Sequence, residues 1–276
     1  MDKFCYDEIL ENAFKEDMPN GDITTDILID KNSISEAVYI AKEEGIIAGI
    51  EVAKRTFELL DEKIDFETKV NDGERVNSGD IIAIIKGNTG AMLKAERTAL
   101  NILQRMSGIA TKTREMVDAV EGYKAKIVDT RKTMPGIRIL DKYAVRIGGG
   151  ENHRFGLSDG VLIKDNHISA CGGIKEAVKK AKENVPHTIK VEVEVESIEG
   201  VKEALEAKAD IIMLDNMEHT TMTEAVNLID GKSLVEASGN VTTEKVKEIA
   251  KTGVDIISSG ALTHSVKALD ISMRFR

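Results

Sequence analysis

A repeat constrains this chain more than any other feature of its sequence. After residue 120, apolar runs recur and each ends in polar residues: Lys126-Ile-Val-Asp-Thr-Arg-Lys, Gly160-Val-Leu-Ile-Lys-Asp-Asn, Val191-Glu-Val-Glu-Val-Glu, Asp210-Ile-Ile-Met-Leu-Asp-Asn, Leu234-Val-Glu-Ala-Ser-Gly and Val254-Asp-Ile-Ile-Ser-Ser-Gly. Helical patterns lie between them, at Ile174–Asn184, Ile198–Ala207 and Thr243–Thr252. Lys164, Glu194, Asp215, Glu236 and Ser259 fall 30, 21, 21 and 23 residues apart. Strand–helix units of this length argue for a parallel sheet. Polar groups at every strand end, and no GxGxxG after the first strand, favour a closed barrel over an open doubly wound sheet. In a barrel the chemistry lies at the C-terminal ends of the strands, where these polar residues fall.

Residues 1–110 have a different character and predict a separate mixed α/β domain, with 111–276 forming the barrel domain and the last residues packing back on the first. Ile9–Phe14 and Glu51–Leu60 have helical spacing, and Glu36–Ala41, Ile64–Val70 and Ile81–Ile85 read as strands. Turn signals stand at Asp72-Gly73 and Ser78-Gly79. This resembles the turn pattern of small β domains that carry swinging cofactors, but no lysine sits at a hairpin tip, so the reading is structural. Met92–Val120 reads as helical with a break at Ser107-Gly108.

Charge narrows the function. The net charge is −10, which sets the chain against a general nucleic-acid binder. Between Ala91 and Lys164, however, 14 Lys or Arg stand against 8 Asp or Glu, and seven of the eleven arginines lie there. Several of these cations are interleaved with glycines and breakers, where no regular solvated helix face forms. Arginine's planar fork suits carboxylates and phosphates. A cationic pocket in an acidic chain predicts a small polyanionic ligand. Two cysteines fit no disulfide or zinc spacing, and no apolar run reaches the ~20 residues of a membrane helix. A reduced, cytoplasmic setting without membrane partners is expected.

The rim residues can be read strand by strand. Arg131 and Lys132 both reach one ligand only if the strand has ended, an ending that Met134-Pro135-Gly136 supplies. His153 and Arg154 follow three glycines. Lys164 is an anion clamp or a Schiff-base nucleophile. Glu192, Glu194 and Glu196 alternate with valines, so period 2 puts the three carboxylates on one face, toward the barrel lumen. Asp215 suits a ribose hydroxyl or a metal. Ser238-Gly239-Asn240 and Ser259-Gly260-Ala261 expose backbone N–H groups to a phosphate, with His264 close behind. An anion pocket, a carboxylate pair and a phosphate cradle suit a phosphorylated sugar meeting a carboxylated second molecule.

The strings GDITTD (21–26), ERTALNILQRMSGIAT (96–111), DTRKTMPGIRILDKYAVRIGGGENHRFGLSDGVLIKDNHI (129–168), EVEVES (192–197), LDN (214–216), ASGN (237–240) and SSGALTHS (258–265) carry a resemblance over nearly the whole chain. The chain resembles the quinolinate phosphoribosyltransferase family. That resemblance implies an N-terminal α/β sandwich and an incomplete α/β barrel. It implies joining of quinolinate to 5-phosphoribosyl-1-pyrophosphate, with release of pyrophosphate and carbon dioxide, and a requirement for magnesium. By motif match, Arg131, His153, Arg154 and Lys164 are similar to the quinolinate clamp. Arg97 is similar to an arginine supplied by the neighbouring subunit, which makes a homodimer the minimal unit. Lys132 matches a contact to both substrates. Glu194 and Asp215 match the pair beside ribose and metal. Ser238, Gly239, Asn240, Ser259 and Gly260, with His264, match the phosphate end. Rival readings are a nicotinate-preferring transferase, the paralogue found with molybdate-transport genes, a Schiff-base lyase using Lys164, and a non-catalytic phosphosugar sensor.

Overall fold

In the first part of the chain, short alternating segments form a sheet because helices cover their apolar faces. The computed structural model describes residues 1–276, and their contacts divide the chain into two units. Unit one comprises Met1–Arg114, Thr133–Gly149 and Ser265–Arg276; unit two comprises Glu115–Lys132 and Gly150–His264.

Unit one starts with helices α1 (Asp7–Asp17) and α2 (Ile23–Leu28), followed by strand β1 (Ile34–Ala41). Strand β2 (Gly45–Ile46), helix α3 (Ile50–Glu58), strands β3 (Asp65–Thr68), β4 (Arg75–Val76) and β5 (Ile81–Asn88), and the long helix α4 (Thr89–Ala119) come next. Asp22 caps α2, accepting from the Thr25 N–H at 3.1 Å. β1 pairs antiparallel with β5, which pairs with β3. The last strand of the chain, Ile271–Phe275, pairs antiparallel with the other edge of β1. The core joins this sheet to α3 and α4: Tyr39, Phe57 and Phe66 cluster with ring centroids 5.8–6.1 Å apart, and Met92, Ala95, Ala99 and Leu103 complete it.

The expected break at Ser107-Gly108 is absent, and α4 is continuous. Ser107 is buried and its hydroxyl accepts the Ala48 N–H at 3.1 Å. A Cβ on Gly108 would lie 2.2 Å from the Lys267 carbonyl oxygen. The two small residues mark a close approach of other backbone to the helix, not an interruption of it.

Unit two holds the repeat. After β6 (Lys126–Val128), the chain contributes helix α5 (Arg138–Ile147) to unit one. Strand β7 (Val161–Ile163), helices α6 (Asp165–Cys171) and α7 (Ile174–Asn184), β8 (Val191–Val195), α8 (Ile198–Glu206), β9 (Ile211–Asp215), α9 (His219–Ile229), β10 (Leu234–Ser238), α10 (Val246–Lys251), β11 (Ile256–Ser258) and α11 (Ala261–His264) follow. The C-terminal strand described above is β12 (Ile271–Phe275).

Six parallel strands run in the order β6-β11-β10-β9-β8-β7. β6 and β7 are both edges, so the hydrogen-bonded barrel is incomplete and the closed form favoured by the repeat alone is corrected. Residues 150–160 connect the two edges, with a single bridge between Val128 and Glu151. Two further expectations change. The helix expected from Thr243 begins at Val246, and the first strand ends at Val128 rather than at Arg131.

Candidate active site

A cavity of about 890 Å³ opens at the C-terminal ends of these strands, lined wholly by unit two. Arg131 and Lys132 reach it from the loop after β6. His153 and Arg154 reach it from the segment between β6 and β7, and Lys164 from the end of β7. Glu194 and Asp215 line it from β8 and β9. Ser238, Gly239 and Asn240 follow β10, and Ser259, Gly260 and His264 follow β11. Apart from Arg97, Glu192 and Glu196, every site residue read from the sequence lines this one cavity. Arg97 is exposed on α4 in unit one and is not part of the lining.

Local chemistry fixes the cationic side. Asp129 is fully buried and accepts the His153 N–H at 2.9 Å and the Asn152 amide at 2.6 Å. It therefore pins the start of the segment between β6 and β7 to the end of β6. Arg154 donates to the Gly160 carbonyl at 2.9 Å. Burial and the neighbouring Arg131 lower the Arg154 pKa. Lys164 pairs with Glu194 through a short hydrogen bond. Thr263 Oγ1 donates to the Lys132 carbonyl at 2.9 Å, tying α11 to the Arg131–Lys132 loop. A Cβ on Gly260 would lie 2.8 Å from Lys132 Cδ and 2.9 Å from His264 Cδ2. A glycine there lets the backbone lie against both side chains.

Behind the rim, His153 Nε2 stands 3.2 Å from Glu192 and 3.5 Å from Glu236, both buried. Burial pulls the His153 pKa down, but the two carboxylates outweigh it and push it up to about 10. Burial raises the Glu192 pKa. The Arg154 N–H donates to His153 Nδ1 at 2.8 Å, which favours a lone pair there and works against a second ring proton. The carboxylates act together on one desolvated nitrogen and dominate, so the ring's proton affinity rises and its fixed proton lies on Nε2. The trio has the composition of a metal site. Metal-bound histidine, however, donates from its other nitrogen. Here that nitrogen accepts, so the trio is a hydrogen-bonded charge cluster.

The structure also sorts the three glutamates of β8. Glu192 and Glu194 turn inward, whereas Glu196 lies beyond the strand and is exposed, so the single-face expectation fails at the third carboxylate. Sequence reasoning missed Asp129, Asn216, Glu236 and Lys245. Glu236 was visible as a strand-end marker. Asp129 and Asn216 gave a signal in lying next to polar strand ends. Nothing in the sequence pointed to Lys245.

Comparison with known proteins gives a consistent picture. Residues 22–107 match the model of the quinolinate phosphoribosyl transferase N-terminal domain, and residues 109–274 match that of the C-terminal domain. A probable nicotinate-nucleotide pyrophosphorylase [carboxylating] of Bacillus subtilis is 48% identical over 266 residues, spanning 96% of this chain and 92% of that protein. A chloroplastic nicotinate-nucleotide pyrophosphorylase [carboxylating] of Arabidopsis thaliana is 47% identical, over 96% of this chain and 81% of its own length. The crystal structure of NadC from Streptococcus pyogenes superposes with a TM-score of 0.96 at 42% identity, covering 99% of this chain and 97% of that one.

Proposed function

The chain belongs to the quinolinate phosphoribosyltransferase family, and from that premise we propose how its cavity performs the family's reaction. The function is decarboxylating phosphoribosyl transfer: quinolinate and 5-phosphoribosyl-1-pyrophosphate give nicotinate mononucleotide, carbon dioxide and pyrophosphate, a step of de novo NAD synthesis. One observation carries the site assignment: four cationic side chains, Arg131, Lys132, Arg154 and Lys164, line one cavity together with His153, Glu194 and Asp215.

In this reading Arg131, His153, Arg154 and Lys164 hold the two carboxylates of quinolinate, the arginines setting its angle through paired hydrogen bonds. Arg97 of a neighbouring subunit completes the clamp. Ser238, Gly239, Asn240, Ser259 and Gly260 hold the 5-phosphate through backbone N–H groups, with His264 beside them. Lys132 bridges the two substrates' anionic groups. Departure of pyrophosphate leaves positive charge at the ribose C1, which Glu194 and Asp215 stabilise. Attack by the pyridine nitrogen makes the ring cationic. A cationic ring is an electron sink, so the adjacent 2-carboxylate leaves as carbon dioxide. No covalent enzyme intermediate is needed.

Magnesium suits the donor set, because Glu194 and Asp215 offer hard carboxylate oxygens at the cavity wall. Bound there with substrate phosphate oxygens, it would neutralise charge on the leaving pyrophosphate. We further assign the enzyme to a homodimer in the cytoplasm. Phe4, Ile23, Ile27 and Leu28 are 72–83% exposed in the isolated chain, an apolar surface that a second copy would cover. Both cysteines are free, and no helix is long and apolar enough to cross a membrane.

The test supplies quinolinate labelled in its 2-carboxylate, with nicotinate as a parallel substrate. Labelled carbon dioxide appearing one-for-one with nicotinate mononucleotide is the expected result. Product from nicotinate alone would overturn the substrate assignment.

A further inference from the structure

The C-terminal ends of β9 and β10 are locked together by one side chain that none of the roles above uses. Asp215 and Ser238 are register partners on the two strands. One residue on, the Asn216 N–H donates to the Ser238 carbonyl at 3.0 Å and carries the ladder past the strand end. Asn216 then turns into the left-handed region, with φ 51°. Its side-chain Nδ2 donates to Asp215 Oδ2 at 2.7 Å, and its Oδ1 accepts from Asn240 Nδ2 at 3.2 Å. Between these contacts lies Gly239, with φ 98°. A Cβ on Gly239 would meet Asn216 Oδ1 at 2.2 Å and Cγ at 2.5 Å. Gly239 is therefore glycine for two reasons: its backbone conformation, and the asparagine amide that fills the space a side chain would need. Asparagine is one of the few side-chain-bearing residues that tolerates φ near 50° without large strain.

We propose that Asn216 is a positioning residue: its amide sets the Asp215 carboxylate at a fixed angle to the Ser238–Gly239–Asn240 turn. The inference rests on the reading above, in which Asp215 faces the ribose of 5-phosphoribosyl-1-pyrophosphate and the turn holds its phosphate. Under that reading, Asn216 fixes the spacing between the two ends of one substrate. It contacts Asp215 through a donated hydrogen bond to a carboxylate, one of the stronger side-chain contacts available.

Two variants separate the amide from the backbone. Asn216→Gly keeps the left-handed conformation and removes the side chain. Asn216→Asp keeps shape and conformation but sets a carboxylate oxygen against Asp215 Oδ2 in place of the donor. Both are measured for KM of each substrate, for kcat, and for binding of 5-phosphoribosyl-1-pyrophosphate with magnesium by calorimetry. The expected result is a KM for that substrate raised about tenfold in Asn216→Gly, and more in Asn216→Asp, with the quinolinate KM unchanged. In an Asp215→Asn background, Asn216→Gly should add less than about twofold, because the bond it removes is already altered. Equal changes in both KM values, or full additivity with Asp215→Asn, would overturn the proposal and leave Asn216 a purely structural turn residue. The underlying reading fails separately: it falls if Asp215→Asn alone leaves binding of 5-phosphoribosyl-1-pyrophosphate unaltered.

Discussion

Glu192 and Glu236 reach His153 from strands that flank β9, one on either side of it. Only an inward-curving sheet brings them to one nitrogen, which is why the sequence showed both glutamates but not their meeting. Among the groups around the ring are these two carboxylates, Asp129 at its backbone and the Arg154 N–H. Because the carboxylates raise the folded-state pKa of His153, the stability they contribute is fully present below the unfolded value of about 6.5. It declines as pH rises and is lost once pH passes the folded value of about 10. Urea denaturation of the wild type and of His153→Gln at about pH 6 and about pH 9.5 should therefore give stability gaps that narrow with rising pH. Gaps of equal size would show that the ring's charge is not coupled to folding. A second prediction concerns Lys164, which forms an ion pair with Glu194. Lys164→Met should raise the quinolinate KM by about 10²-fold, the scale of a lost charge-assisted contact to a buried anion, and change the other substrate's KM far less. Lys164→Arg should recover part of that loss. A Schiff-base role predicts that the arginine variant is as inactive as the methionine one.

At the scale of elements, periodicity carried most of the reading. The alternation of β8 and the apolar stripes of α3, α7 and α8 depend only on local geometry and neighbouring burial, and the structure keeps them, whereas in β1 Ala37, Val38 and Tyr39 are buried in succession because both faces of the strand are covered. The failures are the places where distant chain decides. Ser107 and Gly108 look like a helix break when read alone; in the folded chain the serine hydroxyl receives the Ala48 N–H, and the glycine leaves space for the Lys267 carbonyl. Gly108→Ala should improve intrinsic helix propensity yet destabilise the protein by about 1–3 kcal/mol, because the added methyl overlaps backbone that has no rotamer to move. Equilibrium denaturation decides between the two effects, and a neutral or stabilised variant would mean that the segment after α11 yields easily. Glu196 illustrates the same limit at a strand end. Period 2 assigns it to the inner face, but β8 stops at Val195, and beyond the last ladder bond the alternation no longer constrains side-chain direction.

At the scale of the whole molecule, in the proposed reading, Arg97 on α4 links the site to assembly. It was read from the family's motif rather than from any pattern, since an exposed arginine on a long helix carries no local signal of a distant role. It is absent from the lining of the cavity that gathers the other residues matched to the family's motif. Under the proposed reading it acts on a cavity belonging to another copy of the chain. That arrangement has a consequence that a monomeric site lacks. Arg97→Ala and Lys132→Ala each remove one component of every site in a homodimer and should each reduce turnover by orders of magnitude. In a mixed dimer, one cavity carries both lesions and the other carries neither. Random mixing makes about half the dimers mixed, each with one intact site, so activity should return to about a quarter of the wild-type level. Co-refolding the two inactive variants, with subunit exchange verified by differently tagged chains, measures this directly. Restored activity would establish that the site is shared between subunits. Inactive mixed dimers would place Arg97 and Lys132 in the same site of one chain, and an Arg97→Ala variant that keeps full turnover would place Arg97 in no site. In that case the exposed apolar residues of α2 would have to be covered for a reason other than catalysis.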